Sequence, residues 1–214
     1  MTASALWPRV LAEMPLVAIL RGITPAESLD VAAALERSGF LCLEIPLNSP
    51  DALTSIRKIQ AQFGEKLLVG AGTVLTPADV DAVHQVGAAF VVSPNTNAEV
   101  IRATKARGLL SIPGFLTPTE AFAALDAGAD ALKLFPAEAA PPAVLRALKA
   151  VLPVPCPVFA VGGISPESMR AYCAAGAAGF GIGSMLYKGG GPASAVADSA
   201  QAFVKAWHAL GRPR

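Results

Sequence analysis

The chain has 214 residues, of which 53% are hydrophobic and 15% are charged, and its formal net charge is +1. This length and apolar content predict a single folded domain over residues 1–214 with a substantial core, and they exclude a disordered chain. A nearly neutral chain without a cluster of Lys and Arg lacks the basic surface that nucleic-acid binding requires, so no nucleic-acid partner is expected.

The high apolar content does not predict a membrane protein. No window holds the roughly 18 uninterrupted apolar residues of a spanning helix, and Pro8, Arg9 and Glu13 interrupt the N-terminal segment, which lacks the charge order of a signal peptide. Three cysteines stand at no metal-ligand spacing and are interpreted as small apolar fillers: Cys42, Cys156 and Cys173. The sequence therefore predicts a cytoplasmic protein with no membrane partner.

The first predicted element is a helix over residues 2–13, which would cover the bottom of the fold. Eight short apolar runs then recur at intervals of about 20 to 26 residues. Runs of this length and composition are typical of buried parallel strands. They lie at 16–20 (LVAIL), 41–45 (LCLEI), 66–70 (KLLVG), 89–93 (AFVVS), 109–112 (LLSI), 131–135 (ALKLF), 157–161 (PVFAV) and 179–183 (GFGIG).

Helical patterns separate these runs, and the last of them covers residues 192–210. Several open with Thr-Pro or Ser-Pro and close with Gly, which is the expected asymmetry of helix ends. Eight strands that alternate with helices predict an α/β protein with a (β/α)8 TIM barrel and an extra N-terminal helix. A doubly wound open sheet is disfavoured because the first strand ends in LRGITP and not in a G-x-G-x-x-G turn.

Lys133 lies between Leu132 and Leu134 in a predicted strand, an unusual place for a charged side chain. Because side chains alternate along a strand, two leucines that face the helices would direct Lys133 into the barrel. The same argument directs Glu44 inward from the second strand, because apolar residues flank it. One interpretation of the two charges is a structural ion pair that fills the barrel.

The other interpretation makes Lys133 a nucleophile at the end of its strand, where barrels of this kind carry their chemistry. A dry pocket lowers the pKa of a lysine and leaves some free amine at neutral pH, whereas a salt bridge to Glu44 would raise that pKa. A free amine can attack a ketone and form a Schiff base, which is an electron sink for C–C cleavage. Glu44 would then transfer the protons that the reaction requires.

Glycine-rich loops follow the seventh and eighth strands, where barrels of this kind usually bind phosphate. The residues concerned are Gly162, Gly163, Gly183 and Ser184. Their alternative role is to permit tight turns. Arg21, at the end of the first strand, is either an anchor for an anionic group or part of a salt bridge at the rim.

Other strand ends are polar or form turns. Thr73 either hydrogen-bonds the substrate or caps the following turn. Phe135 and Pro94 either wall an apolar pocket or simply pack in the core. Asn95 and Glu120 are expected to support loops.

The two histidines, His84 and His208, both fall inside helical patterns. A metal-dependent aldolase would need histidine or carboxylate ligands that converge on the barrel mouth, so no metal site is expected. A serine or cysteine hydrolase is disfavoured for a related reason, because neither histidine is placed to act as the base.

Several motifs resemble the KDPG/KHG aldolase family over nearly the whole chain. These motifs are EIPLNSP, VGAGTVL, VVSPNTNAEV, ALKLFPAE and FAVGGIS, and they occur in the family's order. The resemblance implies a cofactor-independent class I aldolase on a small (β/α)8 barrel, usually a homotrimer. Such enzymes cleave 2-keto-3-deoxy sugar acids to pyruvate and an aldehyde. The resemblance also implies that Lys133 forms the Schiff base, that Glu44 transfers protons, and that the partners are a phosphorylated keto sugar acid and pyruvate.

Three positions resemble the galactonate branch of this family. Gluconate-specific members typically carry an arginine in place of Asn48 and a threonine in place of Val161, and Arg21 could replace the charge of the missing arginine. The two substrates are epimers at C4, so the loss of a hydroxyl donor at Val161 would alter which epimer is well paired. The direction of the preference comes from the resemblance alone.

Three rival functions are compatible with the sequence. The first is an aldolase for the gluconate epimer or for 4-hydroxy-2-oxoglutarate. The second is a phosphate-binding barrel isomerase, which needs no imine. The third is a barrel that binds a sugar phosphate without catalysis, although a mere binding protein gains little from a buried lysine that faces a glutamate.

Overall fold

The computed structural model describes residues 3–211, and the strands in this part of the chain form one sheet of nine parallel strands. Parallel strands bury both faces, which is why the apolar runs of the sequence are nearly continuous. The strands are β1 (Leu16–Ile19), β2 (Cys42–Pro46), β3 (Leu68–Gly72), β4 (Phe90–Val92), β5 (Leu110–Ile112), β6 (Gly114–Phe115), β7 (Leu132–Leu134), β8 (Val158–Val161) and β9 (Gly179–Ile182).

Helices connect these strands, and a single 3-10 turn covers Ala137–Ala139. Between residues 3 and 211, none of the helices is long and apolar enough to cross a membrane. The helices are α1 (Ala3–Glu13), α2 (Ser28–Arg37), α3 (Ala52–Phe63), α4 (Pro77–Gln85), α5 (Ala98–Ala106), α6 (Pro118–Asp126), α7 (Pro142–Lys149), α8 (Met169–Ala174) and α9 (Ala193–His208).

The sheet curls into a nearly closed barrel. Its order is β5-β4-β3-β2-β1-β9-β8-β7-β6, so the two edge strands are consecutive in the chain and only Pro113 separates them. Each of the eight predicted runs overlaps a strand, and the ends differ by at most two residues. The ninth strand was not expected. It arises because Pro113 has no N–H to donate and interrupts the ladder, although its carbonyl still accepts from the Lys133 N–H at 2.8 Å.

Side chains alternate between two apolar layers along each strand. Leu16 and Ala18 of β1 pack toward the helices, whereas Val17 and Ile19 join the interior of the barrel. On β7, Leu132 belongs to the outer layer in the same way. The alternation predicts that the side chains between the outward-facing residues point into the barrel. The positions of Val17 and Ile19 confirm this prediction for β1.

Helix α1 packs against the barrel interior. Leu6, Trp7 and Val10 are buried with the interior side chains, and the indole of Trp7 stacks on Phe159 with ring centroids 5.9 Å apart. Residue 2, the first position of the predicted helix, lies outside the described residues. The contacts of α1 therefore complete the apolar interior at the end of the barrel opposite the strand C-termini.

Helix starts follow the predicted Thr-Pro signal in two cases and depart from it in a third. Thr76 and Thr117 cap α4 and α6 through reciprocal bonds with Asp79 and Glu120. In the segment after β1, Thr24 and Pro25 carry the same signal, but α2 begins at Ser28. The reason is that Thr24 donates both its N–H and its hydroxyl to Glu27 at 2.9 Å, which closes a separate turn first.

Truncation of Trp7 tests the contribution of α1 to stability. The Trp7→Ala variant removes a side chain that is only 9% exposed, and we expect the free energy of unfolding to fall by about 3 kcal/mol. Urea denaturation followed by circular dichroism measures this change. The matched control is Arg9→Ala on the same helix, which breaks an exposed ion pair with Glu13 and should cost less than about 1 kcal/mol. Equal losses in the two variants would contradict the packing role of Trp7.

Candidate active site

Lys133 lies at the centre of β7 and is only 6% exposed. Its ammonium nitrogen lies 4.7 Å from the centroid of the ring of Phe135, the first residue after the strand. Burial lowers the pKa of Lys133, the Glu44 carboxylate opposes this shift, and the Arg21 guanidinium adds to it. The amine is thus easier to deprotonate than a solvated lysine.

Glu44 faces the interior from β2 and is 2% exposed. Burial raises the pKa of its carboxyl group, and the positive charges of Lys133 and Arg21 counter part of that shift. Its Oε2 atom has no hydrogen-bond partner among the described residues. Burying a carboxylate oxygen without a hydrogen bond costs free energy. A proton or a bound molecule that supplies this hydrogen bond is therefore stabilised at Oε2.

Lys133 and Glu44 share an inner cavity without forming an ion pair. The salt bridges within the described part of the chain, all shorter than 4.0 Å, do not include this pair. The cavity is small, with a volume of about 20 Å³. Its other walls are almost entirely apolar and consist of Val17, Ile19, Val92, Ile112, Phe159, Val161 and Gly181. Two charges in such surroundings interact through space, and their pKa values are coupled.

The backbone of β3 makes room for Glu44. A Cβ atom at Gly72 would lie 1.4 Å from Oε2 of Glu44, so no larger residue fits there without moving the carboxylate. The next residue, Thr73, has a φ of 56°, a strained backbone for a β-branched residue. Thr73 does not cap helix α4, because Thr76 does so. Both roles predicted for Thr73, a hydrogen bond to the substrate and a cap of the following turn, stay predictions.

Arg21 extends from the loop after β1 and is held by the loop after β2. Its Nη1 donates to Oδ1 of Asn48 at 2.7 Å. Next to it, the backbone N–H of Gly22 donates to the hydroxyl of Ser49 at 2.9 Å. Arg21 makes no salt bridge with a described carboxylate, so the rim salt bridge is wrong and the guanidinium keeps its charge for another anion.

The two glycine loops and Arg21 line an outer cavity above Lys133. This cavity has a volume of about 370 Å³ and opens to solvent. Gly162 and Gly163 have φ values of 111° and 62°, which a residue with a side chain rarely adopts. The predicted residues that line it are Arg21, Lys133, Phe135, Val161, Gly162, Gly163, Gly183 and Ser184.

The structure thus brings together nine of the eleven residues predicted for the site. Glu44 and Val161 line the inner cavity, and Val161 also reaches the outer one. Thr73 and Pro94 line neither cavity. The Pro94 carbonyl instead packs against Gly114, where a Cβ would approach it to 2.3 Å.

The sequence reasoning missed several residues. Glu138, Tyr187 and Lys188 line the outer cavity, and Gly72 makes room for Glu44. Glu138 could have been found, because it follows β7 in the same loop as Phe135. Gly72 could not, because its importance depends on the position of a side chain from a neighbouring strand.

The remaining polar residues singled out in the sequence lie outside the site. Glu120 accepts hydrogen bonds from the N–H groups of Leu116 and Thr117 and supports its loop as expected. His84 and His208 are exposed on α4 and α9. Within residues 3–211, no three or more His, Cys, Asp or Glu side chains are grouped so that they could hold a metal ion.

Comparison with known proteins gives one family. Residues 8–198 match the family model described as "KDPG and KHG aldolase". The chain is 50% identical over 195 residues to 2-dehydro-3-deoxy-6-phosphogalactonate aldolase of Escherichia coli (strain K12), covering 91% of this chain and 95% of the relative. It is 46% identical over 198 residues to the probable enzyme of the same name from Rhizobium meliloti (strain 1021), covering 92% and 93%. Identity to 2-dehydro-3-deoxy-phosphogluconate aldolase of Pseudomonas aeruginosa is 35% over 164 residues, covering 75% and 71%.

Two solved structures extend the comparison. One, described as "Native KDPGal structure", has a TM-score of 0.92 and 49% identity, covering 93% of this chain and 97% of that one. The other is KDPG aldolase from Legionella pneumophila with pyruvate captured as a covalent carbinolamine intermediate. It has a TM-score of 0.79 and 27% identity, and 99% of each chain is covered.

The coupling of the two buried charges gives a prediction about Lys133. The Glu44→Gln variant removes the negative charge that raises the pKa of Lys133, so this pKa should fall further below its ordinary value. Titration of the ¹³Cε resonance of labelled lysine measures it. The Glu65→Gln variant, which changes an exposed carboxylate, should leave the titration unmoved. A higher lysine pKa in Glu44→Gln would contradict the assigned electrostatics.

Proposed function

The chain belongs to the KDPG and KHG aldolase family, and we propose that it is a 2-dehydro-3-deoxy-6-phosphogalactonate aldolase that releases pyruvate and D-glyceraldehyde 3-phosphate. One observation carries the chemistry of this proposal. A lysine with a lowered pKa lies in an apolar cavity beside a carboxylate with which it forms no ion pair. A nucleophilic amine needs these surroundings, and a structural ion pair does not.

The first half of the reaction forms an imine. The neutral amine of Lys133 attacks the C2 ketone, and the new N–C2 bond gives a carbinolamine after the nitrogen proton passes to oxygen. Loss of water leaves a cationic imine. Glu44, whose pKa is raised by burial, can donate the proton that the departing hydroxide requires and is then ionised. The carbinolamine captured in the Legionella pneumophila relative supports this step.

The second half breaks the C3–C4 bond. Ionised Glu44, directly or through a water, takes the proton of the C4 hydroxyl, and the bonding electrons pass into the imine to give an enamine. Glyceraldehyde 3-phosphate leaves, and C3 of the enamine takes up a proton. Water then adds to C2, the C–N bond breaks, and pyruvate and the free amine are released. The imine is the electron sink, so the proposed class I mechanism requires no metal ion or cofactor.

Charged and polar groups at the mouth would hold the two ends of the substrate. The glycine loops with Ser184 suit the phosphate, and Arg21 and Thr73 suit an anionic or hydroxyl group. Phe135 would wall the pocket next to the lysine. For Pro94 we retain the same role as a proposal, although it lines neither cavity.

The finer description of the fold is part of the proposal. We count β5 and β6 as one strand that Pro113 interrupts, which makes the protein a single-domain (β/α)8 barrel over residues 1–214 with α1 as an added N-terminal helix. Family membership supports a homotrimer. The exposed apolar side chains of Leu75, Leu116 and Phe122 are available to pack in an interface between subunits. The buried thiols of Cys42 and Cys156 suit the reducing cytoplasm.

Borohydride trapping tests the imine. In the presence of pyruvate, borohydride should reduce the imine and add the pyruvate carbons to Lys133, as mass spectrometry of the digested protein would detect. The Lys133→Met variant should not be labelled and should lose at least about 10³-fold in kcat. Measurable turnover in Lys133→Met would instead favour an isomerase with another base. If the unaltered protein binds the sugar phosphate but is neither labelled nor active as a catalyst, the result favours a non-catalytic barrel.

The epimer preference rests on Val161 and on the Arg21–Asn48 pair. We expect kcat/KM, followed through pyruvate release, to be higher for the galactonate epimer than for the gluconate epimer. Val161→Thr adds a hydroxyl and should reduce the preference by about tenfold or more. The control is Val161→Ala, which changes shape without adding a hydrogen-bonding group. If the unaltered protein prefers the gluconate epimer or 4-hydroxy-2-oxoglutarate, the galactonate assignment is wrong and the imine mechanism stands.

A further inference from the structure

Glu138 projects over the glycine loop that follows β8. It lies on the 3-10 turn Ala137–Ala139 and is exposed. A Cβ atom at Gly162 would lie 2.2 Å from Oε2 of Glu138, and one at Gly163 would lie 3.0 Å from Oε1. The space that the two glycines leave free is therefore taken up by a carboxylate.

No hydrogen bond or ion pair to another described residue holds this carboxylate in place. The charge of Glu138 nevertheless acts on a neighbouring residue. The pKa of Tyr172 is raised mainly by burial and, to a smaller extent, by the charge of Glu138. Lys188 lines the same cavity and is also exposed, with three glycines directly after it. The outer cavity thus carries a negative charge against the glycine loop and a positive charge on a neighbouring loop.

We propose that Glu138 weakens the binding of phosphorylated ligands because it competes with their phosphoryl end for the Gly162–Gly163 loop. This inference rests on the proposed function, which assigns the phosphoryl group to that loop. A phosphoryl dianion and a carboxylate cannot occupy the same space, and at close range they repel each other. The anion must therefore displace Glu138 outward, toward solvent.

The displacement has a defined consequence for affinity. An exposed side chain without hydrogen bonds moves easily, so Glu138 weakens the binding of anions without blocking it. The weakened binding applies equally to the substrate and to the phosphorylated aldehyde that must leave. Lys133 and Glu44 lie in the inner cavity, so Glu138 should affect KM and leave the covalent steps unchanged.

Titration of inorganic phosphate into the unaltered protein tests the proposal directly. Isothermal calorimetry at low ionic strength should give a Kd for phosphate that is about three- to tenfold lower in Glu138→Gln than in the unaltered chain, because the repulsion is gone. The difference should shrink as salt is added. Glu138→Asp keeps the charge on a shorter side chain and should not show the full gain. Glu99→Gln, which removes an exposed charge from α5, should bind phosphate as the unaltered chain does.

An equal or higher Kd in Glu138→Gln would overturn the proposal, and so would the absence of phosphate binding in both proteins. Labelling of Lys133 by pyruvate and borohydride, measured on the same variants, separates the two claims. Labelling that persists while phosphate binding fails the expectation rejects the role of Glu138 and retains the aldolase. Loss of labelling in the unaltered protein rejects the proposed function itself.

Discussion

The removal of Lys133 from water is the constraint on which the site depends. Burial is the largest influence on its pKa, ahead of the opposing charge of Glu44. An ammonium and a carboxylate that are both withdrawn from water normally recover part of that cost in a close ion pair. Here Lys133 and Glu44 form no such ion pair, and Oε2 of Glu44 has no hydrogen-bond partner among the described residues. The site therefore keeps an unmet requirement for polar contacts, which a substrate with a ketone and hydroxyl groups can satisfy.

The barrel separates the chemistry from the recognition of the substrate. Its inner cavity is apolar apart from the two ionisable side chains, and such surroundings strengthen every charge interaction within them. Its outer cavity opens to solvent and is lined by loop residues, among them the charged side chains of Arg21, Glu138 and Lys188. Helix α1 contributes from the other end, because Trp7 and Val10 are buried in the interior. Closing that end with apolar side chains helps to exclude water from the floor below Lys133.

The sequence predicted the strands because each is a short apolar run, and it predicted the inward direction of Lys133 because side chains alternate along a strand. It also predicted the glycine loops, whose positions follow from the order of the strands. It did not predict the split at Pro113, since a single residue decides whether a ladder continues. It missed Gly72 because the role of this residue depends on a contact with a side chain of a neighbouring strand, and such contacts leave no pattern along the chain. Glu138 lies in the loop that follows the lysine strand, so its position there was open to prediction. Thr73 was left open between two roles, because a threonine after a strand end can serve either a bound molecule or the turn that follows.

The two charges nearest to Lys133 act on it in opposite directions. Glu44 raises its pKa and Arg21 lowers it, so neither charge alone determines how much free amine is present. Burial decides the direction, and burial depends on the side chains that form the cavity wall. A polar substitution at Val17 or Ile19 would admit water and raise the pKa of the lysine without altering any charge. The apolar side chains of β1 therefore act on the pKa of Lys133 as much as the two neighbouring charges do, although they carry no charge themselves.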